Sequence, residues 1–161
     1  MFSQNSFLFY LTVLIANIFH SITGFAGTVL AMPFSMLLVG YDVAKPVLNF
    51  LGVAAAIGII AFNPKAINKA EFTKILSFML IGTLSGSILT YYVDIEPDIL
   101  YKVLGAIVIA FSVIGLSSAF DKYEIPKEKP NFFLYILLII SGLVHGMFVC
   151  GGPLLVIYAT K

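Results

Sequence analysis

Between Phe7 and Tyr41 the chain runs through an apolar stretch that holds no Asp, Glu or Lys. Such a stretch must be surrounded by lipid or protein, and its backbone must satisfy its own hydrogen bonds. As one helix it would be roughly 50 Å long, against a hydrocarbon core of about 30 Å. Its middle reads His20-Ser21-Ile22-Thr23-Gly24-Phe25-Ala26-Gly27-Thr28, and Pro33 follows. Glycine inside a helix costs about 1 kcal/mol relative to alanine, and proline removes a backbone donor. The sequence therefore predicts a break near Gly24 to Gly27, leaving two helices of about 16 residues. They form either a hairpin that enters and returns or one tilted, interrupted crossing. Length favours the hairpin. Broken backbone in hydrocarbon is tolerated only where protein or a water-filled cavity covers it, so the break marks a site.

The same arrangement returns 125 positions later, as His145-Gly146-Met147-Phe148-Val149-Cys150-Gly151-Gly152-Pro153. Aligned on the histidines, Gly151 matches Ala26 and Gly152 matches Gly27. Paired, Gly/Pro-interrupted apolar segments in two halves of a membrane chain point to a transporter's central site.

The rest of the chain agrees with a membrane protein. Only 11% of the 161 residues are charged, against about 25% in soluble domains. Four further apolar blocks run from Val43 to Phe62, from about Phe72 to Val93, from Ile99 to Phe120, and from Phe132 onward. The first three of these each suit one crossing. Asn68-Lys69-Ala70-Glu71 resembles a helix cap, and Pro97 suits a first helical turn. The polar stretch from Asp121 to Pro130 divides the chain. We expect a first membrane repeat over 1–120, a cytoplasmic linker over 121–131, and the start of a second, truncated repeat over 132–161.

Every basic residue is a lysine, and the lysines set orientation. Lys65, Lys69 and Lys74 flank one loop and Lys122, Lys127 and Lys129 another, which places both in the cytoplasm. A hairpin in the first block then puts the N-terminus outside and makes the repeats inverted. A single crossing makes them parallel. Gly82-x-x-x-Gly86 allows close helix approach, as do Ala54-x-x-x-Gly58 and Gly115-x-x-x-Ala119.

Several function classes drop out. There is no basic stripe for nucleic acid, no multi-cysteine metal site and no phosphate loop. No enzyme signature and no cofactor motif appears. No Asp, Glu or Lys lies deep in a block, so an anion held there has to rely on backbone N–H groups and helix N-termini. Helix halves starting after Gly27 and after Gly152 aim such ends inward. Ser21, Thr23 and Thr28 add hydroxyls. His20 and His145 are a substrate-contacting or proton-coupled pair, or neutral imidazoles bonded beside the breaks. Asn17 and Asn49 line the pathway or join helices, and Cys150 reads as a small buried hydrophobe.

Gly24-Phe25-Ala26-Gly27-Thr28 with Pro33, followed by Cys150-Gly151-Gly152-Pro153, resembles the TauE/SafE sulfite exporter family. That resemblance implies a duplicated membrane unit that moves sulfite, sulfonates or related anions across the bacterial cytoplasmic membrane. Ala26 and Thr28 stand where the family commonly has glycine, and Pro153 replaces a third glycine. These departures leave the substrate open among small anions. The expectation is an all-α, multi-pass membrane bundle with an internal repeat and helices broken at glycine-rich signatures. Its function would be that of a permease, not an enzyme. Its partners would be a small anion and the lipid bilayer, together with a second copy or a missing C-terminal half. The substrate set is His20, Ser21, Thr23, Gly24, Phe25, Ala26, Gly27, Thr28, His145, Cys150, Gly151, Gly152 and Pro153. The rival is a non-transporting membrane subunit whose breaks serve packing alone.

Overall fold

The computed structural model describes residues 4–23, 26–62, 65, 67–93, 95–120 and 132–159, with backbone only for 114–120. These residues form helices and connections, with no strand among them. The order is α1 Gln4–Thr23, α2 Ala26–Val39, α3 Tyr41–Phe62, α4 Lys69–Tyr92, α5 Pro97–Phe120, α6 Phe132–Phe148 and α7 Gly152–Ala159. Among them α1, α3 and α4 are long and apolar enough to cross a membrane, while α2 and α6 are shorter apolar helices. The chain is an all-helical membrane protein. Phe50, Ile57, Ile81 and Ile109 lie on exposed faces, which fits lipid as the surrounding solvent. The hydroxyls of Ser21, Ser77, Ser85 and Ser112 fold back onto carbonyls one turn earlier, so none needs water.

The helix ends follow local chemistry. Asn68 caps α4, its Oδ1 accepting from the N–H groups of Ala70 and Glu71 at 3.2 and 3.3 Å. Pro97 opens α5, where its missing N–H costs nothing. Gly40 ends α2 with φ +80° and donates its N–H to Met36 at 2.9 Å, the left-handed stop that glycine favours. Pro33 breaks nothing: α2 runs through it. Membrane helices tolerate proline where neighbours and local adjustments re-satisfy the freed carbonyl.

The first apolar block is a hairpin. Helices α1 and α2 are separated by only two residues and pack along each other, so they run antiparallel. Gly24 and Phe25, at its turn, lie outside the described residues. Helices α6 and α7 form a second hairpin, with Tyr158 packed against Leu134 and Leu138. The hairpins open toward opposite ends of the bundle. Tyr158 donates to Glu71 at the start of α4, while α1–α2 opens where Lys45 of α3 meets Thr90 near the end of α4.

Glycines build the tightest helix pair, α4 against α6. A Cβ on Gly82 would overlap the Ile139 carbonyl, and one on Gly86 the Leu143 carbonyl. The reverse holds for Gly142 against Met79 and Gly146 against Thr83. Met79 faces Gly142 and Thr83 faces Gly146, so the two helices run in the same direction. Gly142-x-x-x-Gly146 is thus the partner of Gly82-x-x-x-Gly86, a pairing that sequence reading does not supply. Gly58 corrects an expectation, because nothing lies within 4 Å of a Cβ built there. The Gly115-x-x-x-Ala119 side chains lie outside the described residues. So do Lys122, Lys127 and Lys129 and the whole of the expected linker, 121–131; Phe132 then opens α6.

Candidate functional site

Each hairpin turns on a glycine pressed against a histidine. A Cβ on Gly27 would overlap His20 Cβ and lie 2.6 Å from the Ala16 carbonyl oxygen. A Cβ on Gly151 would lie 2.8 Å from His145 Cβ and overlap the Ser141 carbonyl. His20 and His145, like Ala16 and Ser141, are 125 positions apart, whereas Gly27 and Gly151 are 124 apart. The structural equivalent of Gly27 is therefore Gly151, not Gly152. The second connection is one residue shorter on that side, which alignment on the histidines cannot register.

The end of α6 lies inside the bundle, so its last four carbonyls need partners. Each has one. Val149 N–H donates to His145 at 2.7 Å, Ser87 Oγ to Gly146 at 3.3 Å, Tyr41 OH to Met147 at 2.6 Å, and Cys150 Sγ to Phe148 at 3.0 Å. Three further elements, α4, α3 and the break itself, thus secure one helix end. Ser141 Oγ donates to the Gly151 carbonyl at 2.7 Å and folds the break back onto α6. Val149 sits at φ +61°, a left-handed conformation rare for a β-branched residue. Such strain persists only where the surroundings over-determine it, and it concentrates at functional sites.

On the α1–α2 side, Thr23 organises the turn. Its Oγ1 donates to Phe19 at 2.8 Å and accepts the N–H of Ala26 at 3.1 Å, satisfying one free donor at the start of α2. The two breaks touch where Cys150 Sγ approaches the Thr28 carbonyl at 3.4 Å.

Between the hairpins lies an open cleft of about 600 Å³. His20, Thr23 and Thr28 reach it from the first hairpin, and His145, Val149 and Gly152 from the second. Helix α3 adds Asn49, Gly52, Val53 and Ala56, and α4 adds Met79. The described lining carries no Asp, Glu or Lys. A second, smaller cavity of about 20 Å³ lies beside His20, lined by Asn17, Gly27, Thr28 and Leu48 among others. That volume suits one water. The Nδ1 atom of His20 is buried with no hydrogen-bond partner in the protein.

The expected site residues separate into groups. His20, Thr23, Thr28, His145 and Gly152 line the cleft. Gly27, Cys150 and Gly151 are buried behind it as the packing of the breaks. Ser21 is exposed and bonds its own helix at Asn17, so it does not join the set. Ala26 and Pro153 sit half-buried in the first turns of α2 and α7 and are not among the lining residues. Asn49 joins the cleft, while Asn17 lines the small cavity and donates Nδ2 to Val13 at 2.8 Å. Gly52, Val53, Ala56 and Met79 carry no polar or glycine-break signal that a sequence reading would single out for a site.

No curated protein and no solved structure matches the chain. A family model described as Sulfite exporter TauE/SafE matches residues 9–161. That span includes the second hairpin, all of the first but the opening of α1, both histidines and every residue of the cleft, and the chain belongs to the sulfite exporter TauE/SafE family.

Proposed function

We propose that this chain is a multi-pass protein of the cytoplasmic membrane that carries a small anion, sulfite, a sulfonate or a relative, through the cleft between its two hairpins. Family membership makes it a membrane transporter of sulfite-like anions, not an enzyme. The observation that carries the site assignment is the convergence of both broken segments, and of both histidines, on one cleft of about 600 Å³. Thr28 in the first turn of α2 and Gly152 at the start of α7 both line it. The first N–H groups of a helix lack intrahelical partners, and the N-terminus carries about half a positive charge. Two such ends facing one cleft suit an anion where no Lys is present. The hydroxyl, amide and imidazole groups of Thr28, Asn49 and His145 supply side-chain contacts from three elements.

The rival role, a subunit whose breaks only pack, has one observation in its favour: Gly27, Cys150 and Gly151 are buried. These residues shape the walls, however, and the neighbours that line the cleft remain open to it.

The test is sulfite and alkanesulfonate flux in proteoliposomes. Asn49→Leu and Thr28→Val alter the cleft without touching the glycine contacts. Flux in the unaltered chain, reduced at least tenfold in both variants at matched protein levels, supports the assignment. Full flux in both variants refutes this cleft as the path.

A further inference from the structure

The cleft contains two imidazoles and no other described side chain able to become cationic. They are also the only histidines in the chain. They come from different repeats, enter from opposite ends of the bundle, and hold equivalent places beneath Gly27 and Gly151. An anion taken from water into a low-dielectric cleft carries a large desolvation cost unless charge or directed dipoles compensate it. Helix ends supply partial charges only. From this geometry we infer that the anion binds together with a proton held on the His20–His145 pair, so that the loaded site is close to neutral. This rests on the anion reading above.

His20 is placed to take up a proton. It lines both the open cleft and the small cavity, and its buried Nδ1 has no protein partner. A charged imidazole needs acceptors at both nitrogens. One water in the small cavity meets one of them, and the anion in the cleft meets the other. Anion and proton then favour each other's binding reciprocally.

The other titratable groups around the two histidines are otherwise engaged. On the break, Cys150 donates to Phe148 and lies on the Thr28 carbonyl. From α3, Tyr41 donates to Met147 and Lys45 to Thr90. From α7, Tyr158 donates to Glu71 of α4, which also pairs with Lys74 at the far end of the bundle. Helices α1 and α2 bring no further charged residue to His20.

The experiment is calorimetric titration of the purified chain with methanesulfonate, an ion that stays anionic throughout the range, between pH 5.5 and 8.5. Runs in two buffers of different ionisation enthalpy count the protons taken up. The expected result is uptake approaching one proton per anion at the upper end, with affinity falling by about tenfold per pH unit there. His20→Gln and His145→Gln should each flatten the pH dependence, and the double variant should abolish proton uptake. Binding by the unaltered chain with no proton uptake overturns the coupling and leaves the anion site standing, whether or not the variants fold. Undiminished uptake in the folded double variant overturns it as well. No binding at any pH overturns the anion reading and this inference together.

Discussion

Gly27, Gly151 and Gly40 show that glycine does two different things in this chain. At Gly27 and Gly151 the reason is space, because an added Cβ meets backbone carbonyls and a histidine Cβ that have no easy way to yield. We expect Gly27→Ala and Gly151→Ala each to destabilise by about 1–3 kcal/mol, as overpacking does. Thermal unfolding in detergent is the check, and unchanged melting in both would remove the close approach as their reason. At Gly40 the reason is conformation, since nothing lies within 4 Å while φ is +80°. Gly40→Ala should cost about 1–2 kcal/mol through the left-handed backbone alone. Gly40→Asn should recover part of that loss, because asparagine tolerates the same conformation; a melt in which Asn is no better than Ala would contradict this.

At the scale of elements, α4 and α6 are held by close backbone contact. In lipid the hydrophobic effect does not drive helices together, so packing and hydrogen bonds must. Gly82→Val and Gly142→Val place branched side chains against opposing carbonyls and should separate the pair. The expected reading is a large drop in melting temperature, with loss of a disulfide cross-link engineered between the two helices elsewhere along their contact. Gly58→Ala is the contrast, since that glycine faces open space and alanine gains about 1 kcal/mol of helix propensity. A Gly58→Ala melt lower than that of the unaltered chain would mean that α3 packs more closely than described. Of the two motifs that form this interface, Gly82-x-x-x-Gly86 is legible from spacing alone. Its partner Gly142-x-x-x-Gly146 lies within a segment whose break attracts attention instead. A small-residue motif announces close approach and says nothing of what approaches.

For the whole molecule, the two hairpins open toward opposite ends of the bundle, and from the lysine distribution we expect those ends on opposite sides of the membrane, with the Lys69 end cytoplasmic. In a Cys150→Ala background, a cysteine at Lys69 should be protected from an impermeant thiol reagent in intact cells. One at Ser3 should be labelled. Labelling at Lys69 would reverse the orientation, and protection at Ser3 with protection at Lys69 would be incompatible with the first hairpin returning to its side of entry.

By itself the sequence determined where lipid must be the solvent, where most helices start and stop, and that the chain breaks twice in comparable places. Those outcomes depend on runs of apolar residues and on signals such as Asn68 and Pro97, whose effects are local. Tertiary structure decided which glycine answers Gly27, because the length of the second connection, not the spacing from the histidine, brings Gly151 over His145. It placed the left-handed residue at Val149, where no glycine signals it and four satisfied carbonyls hold the end of α6. It brought Asn49 and Met79 to the cleft and turned Ser21 away. Such choices depend on contacts between residues far apart in the chain, and no local periodicity encodes them.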